Sequence, residues 1–292
     1  MFKFNLLLAA IFAFTLANAQ SYQEYGEVHL LGPISIGQIE AQPPYNQWFD
    51  ENAKKFELPN SSYDDLHQKL NDLEVNIYFG TWCSDSQYWV PQLIRLWDKL
   101  SLDRSKLHLI ALDGRSEHYK QGPNGEEKGK KIHRVPVFQF TKNGLEIGRI
   151  VETPKNDLLT DVAQIAYGYP SVPNYRAANY IMSQIEERRT DNIKTNLYAH
   201  YLKIMPWVDN MTELNTLGNV YLSANMLDEA VMVFSLNTSF FPEEVSAISI
   251  LAQAEEKAGQ LNAAKKSYQK ILRLEPENNV AKKALERLQA KQ

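Results

Sequence analysis

From residue 211 to residue 278 the chain repeats itself at a spacing of 34 residues. Leu217 pairs with Leu251, Gly218 with Ala252, Leu227 with Leu261, Ala230 with Ala264, Phe234 with Tyr268 and Pro242 with Pro276. A fixed period of this length marks stacked supersecondary units, none of which can bury its apolar face alone. Small residues recur where two helices must cross closely, and each proline stands where it ends the second helix of a unit. The units are 211–244 and 245–278, and 279–290 supplies a charged helix suited to closing the open end of a stack. Two units are fewer than the roughly three that such stacks need. Residues 175–189 and 192–204 are therefore expected to form a degenerate first helix pair, although they lack the small, aromatic and proline positions and Pro206-Trp207 interrupts the run.

Ahead of the stack, Tyr167-Gly168-Tyr169-Pro170-Ser171-Val172-Pro173-Asn174 is rich in turn formers and marks a domain boundary. The start of the chain has a different character. A lone Lys3, an apolar run from 4 to 17 and the small residues of Ala17-Asn18-Ala19 read as a removable secretory signal over 1–19. The polar residues Gln20, Ser21 and Gln23 follow at once, so the run is short for a membrane span, which needs about 20 apolar residues. No cysteine follows the cleavage point to take a lipid. The expected product is exported to the periplasm or the extracellular space, without a membrane span. Loss of Lys3 takes the formal charge from −4 to −5. The only dense basic patch is Lys128, Lys130, Lys131 and Arg134, so nucleic acid is not an expected partner. Removing 19 of 292 residues leaves 273, which is room for two domains of ordinary size.

Between the leader and the boundary the pattern is mixed. Residues 20–43 form an N-terminal extension in which Val28 to Leu31 and Ile34 to Ile36 are strand-like, either extending a sheet edge or packing toward the repeats. Residues 44–56 and 61–72 read as helices, the second opened by Ser61 or Ser62 with Asp64 and Asp65 in its first turn. Val75, Ile77, Tyr78 and Phe79 form a short apolar run ended by Gly80, as in a strand buried on both faces. The chain then turns through Thr81-Trp82-Cys83-Ser84-Asp85-Ser86 into a helical pattern. A second buried run spans 107–112. The turn Lys142-Asn143-Gly144 joins strand-like 137–140 to 147–151, a hairpin signal. A last helix is expected over 155–167, giving the order βαβ then ββα.

Cys83, the single cysteine, therefore falls at a strand-to-helix junction. The unpaired amides and positive dipole end of a helix favour a thiolate over a thiol there. Lacking a second cysteine, the chain is left with an intermolecular disulfide, a free reactive thiol or an inert buried side chain. The segment Gly80-Thr81-Trp82-Cys83-Ser84-Asp85-Ser86 resembles that of exported bacterial proteins of the thioredoxin superfamily. Pro91 eight residues after the cysteine, Val135-Pro136 before the hairpin, and Asn143-Gly144-Leu145-Glu146-Ile147-Gly148 at its turn follow in the family's order. The resemblance implies an α/β thioredoxin-like domain over 44–170, with Pro136 cis beside the sulfur and neighbouring backbone available to a bound peptide. Two departures matter: Ser86 stands where the family has its second cysteine, and Ile77 where it has a buried carboxylate. A closed internal disulfide cycle is thus excluded, while a mixed disulfide is not.

The resemblance implies Cys83, Ser86 and Trp82 as catalytic candidates and Arg134, Val135 and Pro136 as substrate-binding ones. Ser86, one turn on, is placed to donate a hydrogen bond that favours the thiolate. Asp85 opposes this unless it caps the helix or points to solvent. The cluster ending at Arg134 either adds positive potential near Cys83 or is a solvated loop. Three readings of Cys83 stand: a thiolate forming mixed disulfides or exchanging with small thiols, a peptide cleft without chemistry, and a small buried hydrophobe. The six histidines show no metal-ligand spacing, so no metal and no cofactor are expected.

The 34-residue period, with its small residues, aromatics and closing prolines, resembles the tetratricopeptide family, which implies an all-α helical-repeat domain over 174–292 that presents a surface to a protein or peptide. Two functions follow. One is an exported monothiol protein, an oxidoreductase-like catalyst in which the repeats hold a client and Cys83 exchanges disulfides with it. The other is a non-catalytic scaffold that only binds.

Overall fold

The computed structural model describes residues 20–187 and 190–290. The expected secretory signal, 1–19, lies outside the described residues. The first part is a six-stranded mixed sheet in the order β1-β2-β4-β3-β5-β6. Its strands are β1 (Gln20–Glu24), β2 (Glu27–Ile34), β3 (Glu74–Phe79), β4 (Leu107–Ala111), β5 (Val137–Lys142) and β6 (Leu145–Val151). Only β3 and β4 run parallel. They are joined by α4 (Ser84–Lys99), the crossover a parallel pair requires.

Both hairpins turn on two residues with positive φ, Tyr25-Gly26 and Asn143-Gly144. Their twist matches that of the flanking strands. Residues 20–34 are paired into the sheet through β2 and β4, so 20–43 is the edge of the first domain rather than a separate extension. Ile34–Ile36 is not a second strand. The Ser35 amide donates to Gln38 Oε1 at 2.8 Å, the return half of a capping box, and α1 (Ile36–Ala41) begins there.

Alternation along the strands divides the core. Val75, Ile77, Phe79, Leu109, Phe138 and Phe140 pack with the apolar sides of α2 (Tyr45–Ala53), α3 (Asp64–Asn71), α4 and α5 (Leu158–Ala166). On the opposite face Tyr78, Ile110, Leu112, Val137 and Val151 meet Ile132, Val135, Trp82, Cys83 and Tyr175. This second face is covered by the segment 112–136, irregular apart from one short turn of 3-10 helix at Ser116–His118. The Ser62 hydroxyl donates to the Asp64 carboxylate, and Tyr63 rather than a serine stands at the start of α3. The last helix starts later than its apolar pattern suggests because Asp157 caps it, accepting the Thr160 amide at 2.9 Å.

The second part is helical throughout: α6 (Arg176–Glu186), α7 (Thr190–Thr195), α8 (Leu197–Ile204), α9 (Thr212–Ser223), α10 (Leu227–Phe240), α11 (Val245–Lys257), α12 (Leu261–Leu274) and α13 (Asn279–Ala290). It is a helical-repeat region. The segment 192–204, expected as one helix, is broken at Asn196 into α7 and α8. The Phe234 ring lies on Gly218 within the α9/α10 pair rather than between pairs, so close that a Cβ on Gly218 would sit 2.3 Å from it. Glu213 of α9 accepts the Ala178 amide at 2.8 Å, capping α6 from the first repeat. Ala281, Ala284 and Leu288 of α13 close the apolar end left by Ile248, Ala252 and Tyr268.

Candidate functional site around Cys83

Cys83 is the N-cap of α4, with extended backbone (φ −99°, ψ 122°), and its carbonyl accepts the Gln87 amide at 2.9 Å. The sulfur is half-buried. It is held over the segment leading into β5: the thiol donates to the Val135 carbonyl at 3.4 Å, and the Val135–Pro136 peptide is cis. Cys83, Val135 and Pro136 are thus brought together from positions 52 residues apart. A contact of this kind suits the neutral thiol, since a carbonyl oxygen repels a thiolate.

Trp82 is anchored by contacts of its own. Its indole N–H donates to the Leu112 carbonyl at 2.8 Å, and the ring slots between Gly80 and Gly114, where an added Cβ would lie 2.4 Å and 2.8 Å from it. Side chains at either glycine would evict the indole, so both must be bare. The edge of the site is thereby fixed by Trp82 and by Tyr119, whose ring centroid is 6.0 Å away.

Ser86 does not play the part its spacing suggests. Fully buried, its hydroxyl accepts the Gly80 amide at 3.2 Å, which ties the first turn of α4 to the end of β3 rather than to the sulfur. Ile77 is equally buried within the apolar core. Arg134 also departs from expectation. It pairs with Glu152 at 3.1 Å, lies over the Tyr175 ring at 4.8 Å and donates to the Thr212 carbonyl at 3.2 Å. It is committed to the junction between the two domains. Of the rest of the basic cluster, Lys131 pairs with Glu186 at 3.3 Å, a second bridge across that junction.

Lys120, which the sequence analysis did not single out, lies in the irregular segment between β4 and β5. Its side chain is 3% exposed, its ammonium donates to the His133 carbonyl at 2.7 Å and lies 4.3 Å over the Tyr119 ring. Burial first, then the charge of Arg134, push the amine down to about 7 against the opposing charges of Cys83 and Glu152. Glu152 is itself tied to Arg134. His133 beside it is fully buried, with neither ring nitrogen hydrogen-bonded among the described residues. Burial, then Lys120, Arg134 and Arg149, hold it well below the ordinary imidazole range, so it is neutral. The one sequence signal that would have flagged Lys120 is its place between aromatic Tyr119 and the turn-rich run 121–125, where a lysine with positive φ (61°) closes a loop.

Among the described residues no group of three His, Cys, Asp or Glu side chains is placed to hold a metal. No helix there is long and apolar enough to cross a membrane. No protein-family model matches the chain, and no curated protein matches it. Among solved structures it is similar to the second TPR domain of the human RPAP3 protein in complex with the HSP70 peptide SGPTIEEVD. The likeness has 19% identity and a TM-score of 0.27, covering 39% of this chain and 92% of that one.

Proposed function

We propose that this chain is an exported thioredoxin-like protein in which Cys83 exchanges disulfides with a client held by the helical repeats. The observation that carries this reading is that the half-buried sulfur at the start of a 16-residue helix and the buried Lys120 amine bond the carbonyls of Val135 and His133, two residues apart on one segment beside the cis Pro136. A sulfur at a helix N-terminus, with a lysine on the segment it contacts, is a setting in which thiol exchange is found. In the step proposed, the thiolate attacks one sulfur of a client disulfide. A new S–S bond to Cys83 forms, the old one breaks, and the departing sulfur leaves with the electron pair as a thiolate. A thiol from another molecule reverses the bond to Cys83 in the same way, so no further oxidant or reductant enters. With Ser86 buried against β3 and no second cysteine in the chain, release depends on that outside thiol.

A second reading is favoured by the Sγ contact to the Val135 carbonyl, which suits a neutral thiol: a scaffold that binds through the same cleft without chemistry. Alkylation by iodoacetamide at pH 7, of the folded chain and of the chain in urea, separates them. Exchange requires the folded thiol to react faster than the unfolded one. Protection in the folded state sinks the exchange reading and leaves the scaffold.

A further inference from the structure

A cleft of about 1050 Å³ opens between the two domains, with Trp82, the chain neighbour of Cys83, on its floor and Cys83 itself outside the lining. One wall is the β1–β2 hairpin, ending in Tyr25, which is 99% exposed. The floor is Trp82, Gly114 and Tyr119, and the far wall is the face of α9 carrying Thr216, Asn219 and Ser223. The α9 wall is fixed to the floor. Ser223 donates to the Tyr119 carbonyl at 3.2 Å and accepts from the Gln121 side chain at 3.2 Å, so the helical region is pinned to the loop that carries the cleft floor.

The charge on this surface is one-sided. Three carboxylates line it, Glu24 and Glu27 on the hairpin and Glu117 on the floor, against one ammonium, Lys257, whose Nζ donates to the Leu222 carbonyl at 3.2 Å. His29 at the rim is held below its ordinary range by burial and is neutral near pH 7. Glu117 is oriented by Ser116, whose hydroxyl donates to it at 3.0 Å. The fully exposed Tyr25 ring stands among these carboxylates, while Trp82 is held between Gly80 and Gly114 and one face of Tyr119 is taken by Lys120. Aromatic rings attract cations as carboxylates do, and field lines between two low-dielectric walls concentrate the effect. A cationic, extended segment matches the three carboxylates and the Tyr25 ring, which outnumber Lys257, and an acidic one is repelled by them.

We propose that this interdomain cleft docks the client, and that it selects an extended peptide carrying lysine or arginine beside the sulfur presented to Cys83. The inference deepens the exchange reading and rests on it for the identity of the client, but docking is measurable without the chemistry. The first probe is a pair of fluorescein-labelled eight-residue peptides with a central serine in place of cysteine, one flanked by four lysines and the other by four glutamates. Anisotropy with the full mature chain reads their binding. The second probe is the same pair with a central cysteine, each as its mixed disulfide with thionitrobenzoate, whose release is coloured.

The lysine peptide is expected to bind and react about tenfold better than the glutamate peptide at low salt, with the ratio collapsing toward one in 0.5 M sodium chloride, as screened attraction requires. The variant E24Q/E27Q/E117Q is expected to lose the same preference, and Glu243→Gln, on an exposed turn of the repeats, to keep it. Equal binding of the two serine peptides, or a preference that survives in the triple variant, overturns the proposal. If the serine peptides discriminate while no thionitrobenzoate is released even from a small neutral disulfide, the exchange reading fails and the docking surface stands.

Discussion

At the level of single residues, the site turns on Lys120, a cation taken out of water beside a sulfur. A buried ammonium with one carbonyl and one aromatic face for company is expensive. Glu152, whose charge acts on it, already serves Arg134. Lys120→Met keeps the length and the apolar stem and removes the charge. It is expected to slow iodoacetamide alkylation of folded Cys83 at pH 7 by about three- to tenfold, the size of a partly buried charge effect, while the rate in urea is unchanged. An unchanged folded rate would remove Lys120 from the site. His133 has a separate consequence. The folded imidazole stays neutral while the unfolded one takes up a proton below about pH 6.5. Unfolding therefore binds a proton in acid: the contribution to stability is complete above about pH 6.5 and falls by up to about 1.4 kcal/mol per pH unit below it. His133→Leu fills the same apolar place without the two unpartnered nitrogens. Urea midpoints measured from pH 7 to pH 5 are expected to fall less steeply in this variant, and parallel curves would show that His133 is not the group responsible.

Among elements, legibility followed locality. Strand β3, helix α4 and both halves of the β5–β6 hairpin are legible because each carries its own period and its own stop signal, Gly80 or Asn143-Gly144. What stayed hidden is what depends on distant partners. Nothing local marks β1, a strand of mixed polar residues whose partner is the neighbouring β2, and Ser35 looks like part of a strand until Gln38 reaches back to it. That the cysteine would lie near the Val135-Pro136 pair was legible. The turning of Ser86 toward Gly80, of Arg134 toward the repeats and of Lys120 into the core was not, because each is settled by contacts across the fold. In the repeats, the small-residue position was legible and its geometry makes a prediction. Gly218→Ala gains about 1 kcal/mol of helix propensity but places a methyl group against the Phe234 ring. Overpacking costs about 1–3 kcal/mol, so a net loss of stability in urea denaturation is expected, with Phe234→Leu in the same chain recovering part of it. The equivalent Ala252 lies in a pair with Tyr268 that already accommodates the methyl. A variant as stable as the parent would mean that Phe234 can shift freely.

For the molecule as a whole, the question is whether sheet domain and repeats act as one body. The irregular segment 112–136 covers one face of the sheet, and the repeats in turn hold that segment: Ser223 grips Tyr119 and Gln121, Lys131 meets Glu186, and Tyr175 stands edge-on to His133 at 5.4 Å. Arg134 is the strongest of these ties, because its one guanidinium engages a carboxylate on the sheet side and both a ring and a carbonyl on the helical side. Being a fork of fixed geometry, it cannot be replaced in all three roles by any other side chain. Arg134→Leu leaves Glu152 mostly buried without its partner, and a loss of about 1–3 kcal/mol is expected from an orphaned acid of that kind. The larger consequence is cooperative. With the tie in place the parent is expected to unfold in a single urea transition whether followed by far-ultraviolet circular dichroism, which is dominated by the helices, or by Cys83 alkylation, which reports the sheet domain. In the variant the two probes are expected to separate, the alkylation transition coming first as the 112–136 cover loosens, and trypsin is expected to cut sooner near Arg176 at the domain boundary. Coincident transitions in the variant, with the parent's proteolysis rate, would mean that Ser223, the Lys131–Glu186 pair and the apolar contact join the domains without Arg134, and that the cleft between them owes its shape to those ties.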